Sequence, residues 1–405
     1  MVPARCRGWA GACVLLLLLH AAPAPAAPHV PTDDAAIVEH LPARISSSAE
    51  RQRQRAEREQ LRRHPRELSL ATRLAREALL RARRDGDPRE LGQAQAALAP
   101  WWSLPQPPAP VRLLRAIVRQ AQHDFAPALQ DLEALLQPGP EADPVPLAIQ
   151  AQAELTRASV LQVQGRWREA DAGCARLLDV RYAALGAAVR GPALACRAEL
   201  SSLQGQAGRA EAALAVLAHQ GGIDTAWLAL LRAELAERRG EAGAEAFYRE
   251  ALATPSPEVY PLAAYADWLL AQRREREVLA LLAGREEADA LLLRRAIALR
   301  RSGDPRAAQA ASTLAARFDA ARVRGDRSHD RELARFQLDL AGDARAALAS
   351  AQANWAVQKE PADALLLVRA AIAAGQPEAA QPVWRLVQAT GWQDARLRAF
   401  SGAGS

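Results

Sequence analysis

Between Gln164 and Leu178 the chain carries Gly165, then Trp167 two residues on and Ala170 five residues on, with helix-forming residues on both sides. A glycine can take the left-handed backbone that stops one helix, the small alanine lets the returning helix lie close, and the indole fills the corner between them. That is the centre of a helical hairpin. The pattern recurs about nine times, at spacings of roughly 30 to 43 residues. A single hairpin cannot bury its own apolar face, so a period of this length constrains the chain to stack hairpin on hairpin.

Placing the turn on Gly86, His123, Gly165, Gly208, Arg239, Arg273, Gly303, Gly342 and Gly375 puts Leu91, Ala128, Ala170, Ala213, Ala244, Val278, Ala308, Ala347 and Ala380 at the small position five residues later. Half the chain is apolar but only 4% is aromatic, and Ala, Leu, Arg, Glu and Gln dominate throughout. These are the best helix formers, so the expected fold is all-α with closely spaced helices. Proline-rich joints at residues 105–110, 138–146 and 255–261, and a polar joint at 324–330, separate hairpins where a helix cannot continue. None is long enough to divide the array into separate domains.

These features resemble the tetratricopeptide (TPR) family, whose unit is a helical hairpin with small residues where the two helices cross. The first-helix small position falls on Ala116, Ala158, Ser201, Ala266 and Ala296, and Ala244, Tyr248 and Ala251 followed by Pro255 come nearest to the family's second helix. The early tryptophan of the family is mostly absent, and arginine recurs where leucine is usual. The stretch from Gly86 to Trp102 also resembles the opening of a group of exported bacterial repeat proteins, a likeness that carries a compartment and no activity. The resemblance implies an α-solenoid of about nine hairpins over residues 68–398, followed by a flexible tail at 399–405.

Ahead of the array, Arg5 and Arg7 precede an uncharged apolar run from Trp9 to Leu19 and an Ala-Pro-Ala at residues 24–26. A basic start, a short apolar core and a small-x-small site make a secretory signal over residues 1–26. The run is too short to span a bilayer alone. The expected location is therefore the periplasm or the exterior, with cleavage near Ala26; retention of the segment as an anchor is the competing reading. Residues 27–67 read as a Pro/Ala-rich lead followed by an arginine-rich segment with almost no apolar face.

Cleavage removes Cys6 and Cys13 of the four cysteines and leaves Cys174 and Cys196, an even number in an oxidising compartment. Cys174 falls toward the end of one helix and Cys196 about one turn into the next, with Gly191-Pro192 at the joint. An antiparallel pair brings them level, so a Cys174–Cys196 disulfide is expected.

The formal charge of +6 falls to +4 without Arg5 and Arg7. From Arg44 to Arg84 there are 13 arginines against 5 glutamates, and with that stretch set aside the remainder carries −4. The positive charge is thus local. Export disfavours nucleic acid as a partner, whereas residues 44–66 suit contact with a membrane surface or another polyanion.

The sequence holds no nucleophile elbow, phosphate loop, dinucleotide fingerprint or His-Glu-x-x-His, and its histidines have no metal-ligand spacing. It points to no catalytic residue, cofactor or metal, and not to an enzyme. What recurs is arginine directly before alanine in first helices, at Arg115, Arg157, Arg197, Arg232, Arg295 and Arg369. Equivalent positions of a stacked array line up, so these arginines are candidates for a basic stripe that grips carboxylates of a partner; ordinary ion pairs within the chain are the competing reading. Trp101-Trp102, beside a proline joint, is a second candidate contact. The function expected is a scaffold for a protein or peptide in the cell envelope, the alternative a peripheral protein attached through its basic segment.

Overall fold

The computed structural model describes residues 33, 35, 48–139, 143–324 and 330–401, and among them there is no strand. The secretory signal, the first part of the lead and the last residues of the tail lie outside the described residues. The helices in chain order are α1 (Ser48–Arg63), α2 (Leu68–Asp85), α3 (Arg89–Ala97), α4 (Ala99–Trp102), α5 (Ala109–Ala121), α6 (Phe125–Leu136), α7 (Leu147–Val163), α8 (Trp167–Arg176), α9 (Ala187–Leu203), α10 (Ala207–Gln220), α11 (Thr225–Arg239), α12 (Ala244–Ala251), α13 (Val259–Ala271), α14 (Glu275–Leu281), α15 (Asp289–Arg301), α16 (Arg306–Val323), α17 (Asp330–Phe336), α18 (Ala344–Val357), α19 (Pro361–Ala373), α20 (Gln381–Thr390) and α21 (Ala395–Arg398). None of the described helices is long and apolar enough to cross a membrane.

The helices pack in pairs: α2 with α3, α5 with α6, α7 with α8, α9 with α10, α11 with α12, α13 with α14, α15 with α16 and α17 with α18. Left-handed backbone marks most turns between them, at Gly86, His123, Gly165, Arg273, Gly303, Gly342 and Gly375. Two expected turns are out of register. The fourth turn is at Gly205, three residues before Gly208, and Gly208 lies inside α10; the fifth is at Gly240, one residue after Arg239. In each case the nearest glycine that can take positive φ without a Cβ penalty sets the turn. The small position follows the corrected turn, so Ala210 is fully buried where Ala213 is not. Ala308 is exposed and Ala310 is buried in its place, because Pro305 shifts the start of α16. Ala128, Ala170, Ala244, Val278, Ala347 and Ala380 are buried as the pattern requires.

First helices also touch one another, α5 against α7, α7 against α9, α9 against α11 and α13 against α15. The chain then closes on itself. The backbone N–H of Lys359 donates to the carbonyl of Val163 (2.7 Å), Gln358 hydrogen-bonds His123 (3.1 Å) and Arg396 pairs with Glu237 (3.1 Å). At Gly205 a Cβ would lie 2.5 Å from the carbonyl oxygen of Gly391, so only glycine lets the two turns meet. Trp167 and Trp392 pack edge to face at 5.7 Å within a core cluster that joins α7–α9 to α18–α21. The C-terminal helices therefore rest on the turns of hairpins formed some two hundred residues earlier.

Cys174 and Cys196 form the expected disulfide. The surrounding geometry differs from expectation: Gly191 and Pro192 lie within α9, and the joint is the 3₁₀ segment Val180–Leu185. Pro192, the sixth residue of α9, lies inside the helix and has no N–H to give the carbonyl of Ala188 four residues earlier.

Candidate functional site

The recurring arginines are satisfied within the chain. Arg115 is 5% exposed; it donates to both oxygens of Asp131 (2.6 and 2.8 Å) and to the carbonyls of Trp102 and Leu104 (2.6 and 2.9 Å). It ties a proline joint to the α5–α6 hairpin. Arg157 pairs with Glu133 (3.3 Å), Arg197 with Asp171 (3.0 Å), Arg295 with Glu286 (3.0 Å) and Arg369 with Asp339 (2.5 Å). Arg232 lies over the Phe247 ring at 4.0 Å. The arginine before the crossing alanine thus meets a carboxylate or ring on an adjoining element or, for Arg295, on the loop ahead of its own helix. Trp101 is core, packed with Leu70, Ala94 and Val111, and Trp102 is half-buried with Arg119 5.7 Å from its ring. Neither indole stands out as an anchor.

A different set of side chains links the first helices. Gln120 of α5 donates to Ser159 of α7 (3.1 Å), and Gln162, one turn further along α7, donates to Glu199 of α9 (2.7 Å). Ser202, one turn along α9, accepts from Arg238 of α11 (2.8 Å), and Glu234, one turn back, accepts from Tyr260 of α13 (2.7 Å). Further along, Asp267 of α13 pairs with Arg294 of α15 (2.8 Å) and Arg335 of α17 (2.5 Å), and Asp339 pairs with Arg369 of α19. α7, α9, α11 and α13 each offer two polar residues three, four or seven apart, one toward the preceding first helix and one toward the next, while α15 contributes Arg294 alone. The result is a polar ladder across consecutive hairpins.

The middle of the ladder is electrostatically unbalanced. Among the described residues neither Glu199 nor Glu234 has a cationic group within ion-pair distance, and each accepts a hydrogen bond from a neutral donor. Burial pushes the Glu199 carboxyl up to about 7, helped by the charge on Glu234 and opposed by Arg238 and Gln162. Burial raises Glu234 as well, against Arg238 and the Tyr260 hydroxyl. The charge on Glu234, followed by burial, raises the Tyr260 phenol well above its ordinary range. Yet Tyr260 keeps 52% of its surface open to water. At Asp267 burial works the other way from the outcome: the guanidiniums of Arg294 and Arg335 outweigh it and hold the carboxyl low. Beside the ladder, Arg331 joins Glu360 and Asp363, and Asn354 donates to Asp363 (2.7 Å).

This arrangement presents hydrogen-bond donors, acceptors and an open phenol along a helical face. It does not assemble a nucleophile with a base and an oxyanion site. Among the described residues no group of three or more His, Cys, Asp and Glu side chains is placed to hold a metal ion. A cleft between α10, α11 and α12, lined by Glu211, Leu214, Arg232, Leu235 and Phe247, encloses about 70 Å³. That holds a few waters, well below the room a small-molecule ligand occupies.

The ladder's signal in the sequence is a polar residue at the phase of the first-helix inner face, Ser159, Glu199, Glu234 and Asp267, among apolar neighbours. These residues directly follow the crossing alanines, and Glu199 and Glu234 each stand in Arg-Ala-Glu-Leu, so the recurring arginine–alanine pair singles out the arginine and not the residue behind it. Compared with known proteins, the chain matches no protein-family model and no curated protein.

Proposed function

We propose that this chain is an exported α-solenoid of about nine TPR-like hairpins, working in the periplasm or outside the cell as a scaffold that binds a protein or peptide along its first-helix face. The observation that carries this reading is the polar ladder from Gln120 to Arg369. Side chains on successive hairpins meet there in one continuous row, and at its centre Glu199, Glu234 and the half-open Tyr260 retain capacity for further hydrogen bonds. An extended segment lying along such a row would meet donors and acceptors at every hairpin. The disulfide is compatible with an oxidising compartment. The role proposed is recognition of a partner and not catalysis.

The test is photo-crosslinking in intact cells, with a benzophenone amino acid at Ser159 or Tyr260 on the ladder and at Val180 on the 90%-exposed outer surface. A discrete adduct from the ladder positions, absent from Val180, is the expected outcome. Equal, diffuse labelling at all three positions overturns the reading.

A further inference from the structure

Residues 48–84 carry twelve arginines and five glutamates, on α1, α2 and the turn between them. Glu57 on α1 pairs with Arg73 on α2 (3.0 Å), and Leu61 of α1 packs on the core cluster formed by α2 to α5. On α1 a stripe of spacing 3.6 formed by Glu50, Gln54, Glu57 and Leu61 faces α2, and Gln54 is buried. Arg51, Arg55 and Arg62 of α1 are exposed, while Arg58 is half-buried and donates to Gln54 (3.3 Å). On α2 the outward stripe is Arg73, Arg76 and Leu80, and Leu80 is 66% exposed among these arginines.

The charge is not cancelled locally. At the far end of α2, Arg81, Arg83 and Arg84 find carboxylates outside the stretch or beside it, on Glu90, Glu258 and Asp85. The glutamates of α1 and α2 pair with arginines of the same two helices. Arginines still outnumber carboxylates, so the excess concentrates on α1 and the start of α2, on exposed side chains. Exposed ion pairs are weak and exchange readily for another anion. Exposed arginines on two helices joined by an ion pair, with an exposed leucine among those of α2, match a surface of phosphate headgroups with an apolar layer just beneath. A soluble polyanion offers the phosphates but nothing for Leu80.

We infer that the α1–α2 face docks on a bilayer rich in anionic phospholipid, with the outward arginines at the headgroups and Leu80 entering the boundary of the acyl layer. Each arginine then contributes roughly a five-fold gain in partitioning, and the contact is reversible and weakened by salt. This attachment uses side chains of α1 and α2 that take no part in the ladder, and stands or falls independently of the scaffold reading.

The experiment is co-sedimentation of protein recovered from its native compartment with vesicles of mixed phosphatidylglycerol and phosphatidylcholine, and with pure phosphatidylcholine, at low and high salt. Binding to the anionic vesicles alone, lost at high salt, is expected. The variant Arg51→Gln/Arg55→Gln/Arg62→Gln should bind at least about ten-fold more weakly, and the corresponding lysine variant should bind as the parent does. Leu80→Ser should weaken vesicle binding while leaving binding to soluble polyphosphate unchanged. Circular dichroism checks that all variants remain folded, as their exposed positions imply. Equal binding to neutral vesicles, no binding to anionic ones, or polyphosphate binding as tight as vesicle binding with no effect of Leu80→Ser overturns the inference.

Discussion

Replacing Glu199 with glutamine should stabilise the protein, and only above a definite pH. The carboxyl sits between Gln162 of α7, which donates to it, and the charges of Glu234 and Arg238 of α11 and of Glu360 ahead of α19. Its pKa rises from the ordinary 4.5 to about 7 on folding. The folded state therefore binds the proton more tightly than the unfolded chain. Stability from this group is fully present below 4.5, falls as the pH rises from there to about 7, and is then level. A difference of that size corresponds to at most about 3 kcal/mol; water reaching part of the side chain and joint titration with Glu234 reduce it. Glutamine keeps the oxygen that accepts from Gln162, removes the charge, and can donate to Glu234. Glu199→Gln should have little effect near pH 4 and should gain up to about 3 kcal/mol near pH 8, roughly 4 °C in melting temperature for a chain of this size. Because repeat arrays open in parts, the assay pairs the melt with hydrogen exchange at the amides of Leu200, Ser202 and Leu203. A variant that is less stable near pH 8, or equally shifted at both pH values, refutes the burial argument.

Two further outcomes follow from the contacts described. Cys174→Ser/Cys196→Ser should lose about 3 kcal/mol, the chain-entropy value for a loop of this length, measured as a lower urea midpoint than that of the oxidised parent; no change in midpoint would show that α8 and α9 are held by packing alone. Arg115→Gln, which removes the pair with Asp131 and two carbonyl contacts, should destabilise by about 3 kcal/mol and open the joint at residues 105–110 to proteolysis, whereas the exposed Arg76→Gln should stay within about 0.5 kcal/mol; equal midpoints for the two would contradict the structural role of Arg115.

That role reverses an expectation drawn from the sequence. A stripe of arginines at equivalent positions reads as a surface because neighbouring hairpins repeat, and repetition says which positions align without saying what lies opposite them. Asp131, Glu133, Asp171, Glu286 and Asp339 lie opposite. Each belongs to another part of the chain, some thirty residues away or less. The indoles of Trp101 and Trp102 were ambiguous for the same reason, since a tryptophan beside proline can end a core as readily as begin a surface.

The sequence alone determined the helical state, the positions of most turns and the disulfide, because these depend on local properties: helix propensity, the need for glycine or a tolerated substitute at positive φ, and two cysteines on successive helices. It missed by three residues at Gly205 and by one at Gly240, where several residues could have ended the helix and only packing chose among them. The closure of α19–α21 onto the turns at His123, Gly165, Gly205 and Gly240 was decided by tertiary structure. So was the pairing along the polar ladder, whose partners lie one or two hairpins apart. Which distant helices meet depends on how every helix pair packs on the next. No single pair fixes that, and the charges and hydrogen bonds it brings together, such as Glu360 near Glu199 and Glu234, exist only once the whole chain is folded.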